Sequence, residues 1–385
     1  MATQAPEKPA PNKAAAAAPA QPFRVGVYAN EQNDYDNTVT MLTSTVNFPN
    51  EVVEPNGWLR GMWFLIECVT AGNSANVAFN PDAPMNGIEK ITWKDVGNRE
   101  VFGPMTGYQW AQVMKWGGYF EVGDPRSDLT FRAVTGTGAT GGSFTMVLYL
   151  PIELVSRDAL GDVENKSSSS SWKVEIVLAA STTIYSTSPT TLGTVRLRIA
   201  LDGYTEPEAQ DAMGRPLSEA PPAAGTLQYW TLEDDDMSAG NATYLIQNGL
   251  GYSMRNIIFH FTKSGVRSTA DPDWPDPHTF SFGKIQLFQR YSTIWQSKMS
   301  KAYGLTSTNT DASLGRELGI YPVWFTDDFG LKPGAELRNG YLNTKPGNVL
   351  KWAGTIGGSG THTLNTLVNY VIPPGNDPMR LRAAR

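Results

Sequence analysis

The chain has 385 residues, 31 Lys and Arg against 37 Asp and Glu, and a single cysteine. That length allows two or three domains with ample cores. A formal charge of −6 with no basic stripe argues against a body that coats nucleic acid, and one cysteine, Cys68, excludes an internal disulfide framework or a thiolate zinc cluster. Charged residues make up only 18% of the chain, against 11 Trp and 15 Tyr. Two readings of that balance stay open: extensive contact surface or a large aromatic core.

Residues 1–22 are rich in Ala and Pro, lack periodicity and read as a flexible arm. The alanines at 14–18 are too weakly apolar for a secretory leader, and no window reaches eighteen unbroken apolar residues, so a membrane span is not expected. From Phe23 onward, short β-branched and aromatic runs alternate with Gly, Pro, Asn and Ser, the texture of sandwiches or barrels. Strands are predicted at 39–46, 58–69, 91–94, 130–134, 144–150, 173–178 and 194–201. In the last, Val195, Leu197, Ile199 and Leu201 alternate with Arg196, Arg198 and Ala200, as in a sheet with one wet face. Trp110, Val113, Met114 and Gly117 stand at helical spacing, so a helix is predicted at 104–117 with Pro104 in its first turn. Cys68, inside an apolar run, reads as a buried inert thiol.

Prolines at 207, 216, 221 and 222 mark a boundary. The expected organisation is an arm at 1–22, a first β domain at 23–210, a linker at 211–225, a second β domain at 226–376 and a basic tail at 377–385. Strands follow at 227–232, 257–261, 280–288, 321–326, 349–352 and 364–372, with short helices at 292–303 and 311–318. The Gly-rich segments 136–142 and 354–360 each precede a strand that stops at Pro, an echo suggestive of duplication.

No residue set is assigned to catalysis, cofactor or metal. The Gly-rich segments lead into strands rather than helix N-termini, which disfavours a phosphate cradle. Glu233, Asp234, Asp235 and Asp236 could hold calcium, yet the spaced ligand pattern is missing and a solvated acidic loop is expected. Asp271, Asp273, Asp276 and His278 are interleaved with prolines and read as a stiff exposed loop. His260, His278 and His362 show no metal-ligand spacing, and His260 reads as a strand residue. A pair of glycosidase carboxylates is a matter of spatial separation and stays open. Arg380, Arg382 and Arg385 could bind acidic neighbours, anionic lipid or nucleic acid, or simply form a disordered solubilising end.

The order of elements resembles the double jelly-roll major capsid proteins of tailless phages with an internal membrane, the tectivirus type. The resemblance rests on Gly57-Trp58-Leu59-Arg60-Gly61 opening a long apolar strand, Ile91-Thr92-Trp93-Lys94-Asp95 running into Asn98-Arg99, and Gly107-Tyr108-Gln109-Trp110 beginning a helix. It continues with Met146-Val147-Leu148-Tyr149-Leu150-Pro151, Gly340-Tyr341-Leu342 and a last strand ending at Ile372. The chain departs from the family in opening with Ala and Pro, where members can begin with a helical, Gln-rich arm. The resemblance implies an all-β chain of two tandem eight-stranded jelly rolls with a few short helices in loops. It further implies a homotrimer of pseudo-hexagonal outline that tiles an icosahedral shell and meets neighbouring trimers, penton and minor capsid proteins. Its termini would contact an internal membrane, without direct nucleic-acid binding; it would carry no enzyme activity or cofactor, be made in the host cytoplasm and reside in the virion. The alternatives are a carbohydrate-binding or carbohydrate-active β-sandwich protein and a phage spike.

Overall fold

The computed structural model describes residues 20–70, 75–119, 126, 128–169, 171–268, 273–303, 318–325 and 340–374. In chain order the first part comprises β1 (Ala29–Thr40), β2 (Val46–Asn47), β3 (Glu51–Val52), β4 (Gly57–Val69), β5 (Ala78–Phe79), β6 (Ile88–Lys94) and β7 (Glu100–Met105). Then come α1 (Gly107–Trp116), β8 (Arg132–Ala133), β9 (Phe144–Pro151), β10 (Val163–Asn165), β11 (Lys173–Leu178), α2 (Ser181–Ile184), β12 (Tyr185–Thr187) and β13 (Thr194–Tyr204). The second part comprises β14 (Leu227–Ile246), β15 (Ser253–Lys263), β16 (Val266–Arg267), β17 (His278–Phe282), β18 (Ile285–Arg290), α3 (Ser292–Tyr303), β19 (Ile320–Trp324), β20 (Leu342–Asn343) and β21 (Leu350–Ile372).

The first sandwich pairs the sheet β1-β13-β4-β9 with a layer in which β7, β6 and β11 run in sequence and β2 and β3 both flank β11. The alternation in β13 works as expected: Val195, Leu197, Ile199 and Leu201 are buried, while Thr194 and Arg196 face water. The second sandwich reuses its longest strands. Leu227 to Ser238 of β14 pair with Ile372 to Thr361 of β21; then the register breaks, and Gly240 to Ile246 pair with Ile356 to Leu350. The C-terminal half of β21 also pairs with β15, which carries β19, and its N-terminal half pairs with β17, which carries β18. Two strands thereby serve as four, and each sandwich reaches two four-stranded layers.

Several boundaries differ from expectation. Of the predicted strand 39–46 only Val39 and Thr40 fall in β1, which starts at Ala29, and Val46 opens β2; residues 41–45 are not strand. Residues 29–38 of β1 carry no alternating apolar signal because it is an edge strand, held by backbone pairing to β13. Pro104 lies in β7, and the helix starts after Thr106, whose hydroxyl accepts from the Gln109 amide N–H at 3.2 Å while Gln109 Oε1 accepts from the Thr106 amide at 2.9 Å. The predicted strand 280–288 is a hairpin, turned at Gly283 with φ 59°, a conformation that glycine adopts at low cost. The segment 354–360 lies within β21, where its glycines form the bulge opposite the β14 register break. The Gly-rich segments are therefore not equivalent, since 136–142 leads into β9 and 354–360 lies inside β21. The equivalence sits elsewhere: β7 is followed by α1 and β18 by α3. The predicted helix 311–318 falls outside the described residues except for Leu318, and residues 1–19 of the arm and the tail 377–385 also lie outside them.

One hydrophobic cluster spans both sandwiches, from Met41 to Ile372. Nine of the eleven Trp are buried: 58, 93, 110, 116, 172, 230, 274, 295 and 352. The aromatic excess is chiefly core.

Candidate functional site

The constellations singled out in the sequence do not assemble into a reaction centre. Glu233 to Asp236 form no loop; they lie in β14, opposite Thr366, Asn365, Leu364 and Thr363. Polar partners make this possible: Glu233 accepts from the Tyr244 hydroxyl and from the Gln247 amide at 3.0 Å, and Asp236 accepts from Thr363 Oγ1 at 2.7 Å. The segment leading to His278 is not an exposed loop either. His278 is fully buried in β17, where its Nδ1 accepts from Trp352 Nε1 at 3.2 Å and its Nε2 faces Ser292 Oγ at 2.8 Å. Burial pushes its pKa down to about 3, so the ring is neutral. Asp276 caps the start of α3 through the Ser292 amide at 2.9 Å, and Asp273 pairs with Lys263 at 2.8 Å; Asp271 lies outside the described residues. His260 sits in β15 and His362 in β21, both buried. Among the described residues no three His, Cys, Asp or Glu side chains stand together as metal ligands. Cys68 is buried, and its thiol is pushed up to about 11 by that burial, which makes it a poor nucleophile.

The densest titratable group was not visible in the sequence, because its members come from β4, the segment after β9 and β13. Arg60 reaches Glu153 at 3.3 Å and Asp202 at 3.6 Å, with Asp162 alongside. Burial raises Glu153 and Asp162 above the usual carboxylate range; the Glu153 charge adds to the effect at Asp162, and Arg60 offsets part of it at both. All three carboxylates are buried, and they line neither the cleft between the sandwiches nor the smaller ones beside Trp172 and Trp63.

What the structure does build is a join. Helix α1 is buried along its whole length. Its last turn leaves backbone carbonyls without intrahelical partners, and the second sandwich supplies them: Asn256 Nδ2 and Trp324 Nε1 donate to the Trp116 carbonyl at 3.1 and 2.8 Å. Alongside, Arg267 and Asp82 form a buried ion pair at 2.6 Å. Removing one member would strand the other charge, at a cost of about 3–5 kcal/mol. A cleft of about 600 Å³ opens beside this pair.

At the same join β7 is covered. It lies between β6 and β14, with Phe102 opposite Trp230, and Val101, Phe102 and Met105 are buried. Its counterpart β18 is bare among the described residues: there it pairs only with β17, and Ile285, Leu287, Tyr291 and Ile294 are 64, 42, 58 and 50% exposed. At the far side of the first sandwich β1 is another open edge, paired among the described residues only with β13.

No family model matches the chain, and no curated protein matches it either. Among solved structures it is similar to the chain in the atomic structure of Sulfolobus turreted icosahedral virus, with a TM-score of 0.62 at 10% identity over 92% of this chain and 93% of that one. It is also similar to the major capsid protein P2 from bacteriophage PM2, at TM-score 0.50 and 6% identity over 91% and 100% of the two chains. The Faustovirus major capsid protein gives 0.50 and 8% over 94% and 92%. The chain has the double jelly-roll fold.

Proposed function

We propose that the chain is a major capsid protein: a structural subunit, without catalytic chemistry, whose homotrimers form pseudo-hexagonal blocks that tile an icosahedral shell around an internal membrane. The observation that carries this reading is the contrast between β7, covered by the chain's own second sandwich, and β18, bare and apolar. An exposed apolar edge strand invites pairing and aggregation unless a partner covers it. A heterologous contact that closes into a ring would cover it once per copy. The similarity of fold to capsid subunits over nearly the whole of each chain supports the same reading. Neighbouring trimers, penton and minor capsid proteins, lipid contact through the termini and a place in the virion belong to the proposal.

The test is the mass of the purified chain by light scattering, with negative-stain microscopy. Three chain masses and hexagon-like particles of one size are expected. A monomer at working concentration, or a mixture of open chains without a closed ring, would remove the reading.

A further inference from the structure

The join inside the chain sets the strand that precedes a helix, β7, beside the first strand of the next sandwich, β14. The strand that precedes the other helix, β18, and the first strand of the first sandwich, β1, are each paired on one side only among the described residues. We infer that the β18–α3 edge of one copy docks along the β1 edge of the next, so that the contact between chains repeats the contact within them. This inference rests on the shell-subunit reading and adds to it which surfaces meet.

Charge is what selects the pairing. Residues 278–303 contain Lys284, Arg290, Lys298 and Lys301 and no Asp or Glu. Residues 29–54 contain Glu31, Asp34, Asp36, Glu51 and Glu54 and no Lys or Arg. Asp36 is answered from within the chain by Arg196. Among the described residues no cation pairs with the other four, and no carboxylate pairs with Lys284, Arg290 or Lys298. The acidic edge is crowded. The Glu54 amide donates to the Asp34 carboxylate at 3.3 Å, and Glu51 is pushed up to about 8, chiefly by burial and then by the charges of Asp34 and Glu54. A cation from outside would relieve that crowding. On the basic edge Arg290 lies over Phe288 and Trp295, at 4.3 and 5.1 Å, which leaves the apolar strip of Ile285 and Leu287 beside the exposed Lys284. Complementary potentials of this kind fix register and exclude the like-edge pairings, β1 on β1 or β18 on β18.

The experiment is charge reversal in the full chain. One variant carries Glu31→Lys and Glu54→Lys, a second carries Lys284→Glu and Lys298→Glu, and a third carries all four. All four side chains are exposed, so folding should be preserved and is checked by urea denaturation. The association constant is read by sedimentation. Each two-site variant should weaken association by about tenfold or more, and the four-site variant should recover to within about threefold of the unaltered chain. The unaltered chain should also associate less tightly as salt rises from about 0.1 to 1 M and the Debye length falls from about 10 to 3 Å. Unchanged association in both two-site variants, or a four-site variant no tighter than either, would overturn the pairing while leaving a trimeric subunit in place. An unaltered chain that never associates would bring down the shell reading itself.

Discussion

Strands β7 and β18 hold the same place in their sandwiches, each just ahead of a helix, yet one is core and the other is surface. Val101 and Phe102 are 1% exposed, whereas Ile285 and Leu287 are 64 and 42% exposed. The difference lies in what stands beside them: β7 has the chain's own β14, and β18 has no second strand among the described residues. One architecture thus shows both the finished contact and the unfinished one. The finished one is a guide to the kind of surface the unfinished one needs.

The comparison can be broken most sharply at Trp230, which is 1% exposed and faces Phe102 across the finished contact. Trp230→Ala should cost about 3–5 kcal/mol of stability, measured by urea denaturation; a loss below about 1 kcal/mol would mean that the join adds little to the fold. A smaller effect is expected from protons at the bare acidic edge. The Glu51 carboxyl is raised from 4.5 to about 8 in the folded chain. The native state therefore holds a proton that the unfolded chain releases, and stability should fall as pH rises across that window. Glu51 is partly exposed, so the loss should stay within about 1 kcal/mol after screening. Glu51→Gln should flatten the melting temperature between those two pH values; an unchanged slope would refute the assignment. The smallest effect on folding belongs to Leu287→Gln on the bare edge, within about 0.5 kcal/mol, while association of the chain should weaken. A large loss of folding stability there would show that β18 is already covered within one chain.

Much of this fold can be read from sequence where local pattern and tertiary context agree. The alternation of Val195, Leu197, Ile199 and Leu201, the run 173–178 and the helix Ser292–Tyr303 all stand as the pattern predicts. Pattern fails where a distant partner decides. Residues 29–38 form a strand because β13 pairs with them, with no apolar periodicity of their own. Glu233 to Asp236 remain in β14 because Tyr244, the Gln247 amide and Thr363 accommodate two of the four carboxylates. His278 is buried despite its proline-rich approach because Trp352 and Ser292 satisfy both ring nitrogens. The open edges were the least legible. Their exposure depends on which strand lies next door, and their opposite charges are 230 to 270 residues apart, a distance over which no local pattern speaks. The charge runs themselves, one without a base and the other without an acid, were present in the sequence as a signal.

Strands β14 and β21 thread both layers of the second sandwich without leaving either. Peeling off one layer means unzipping the two strands that also hold the other. That half of the molecule has no piece it can shed: it opens as a whole or stays shut, a property suited to a brick that must bear load from inside.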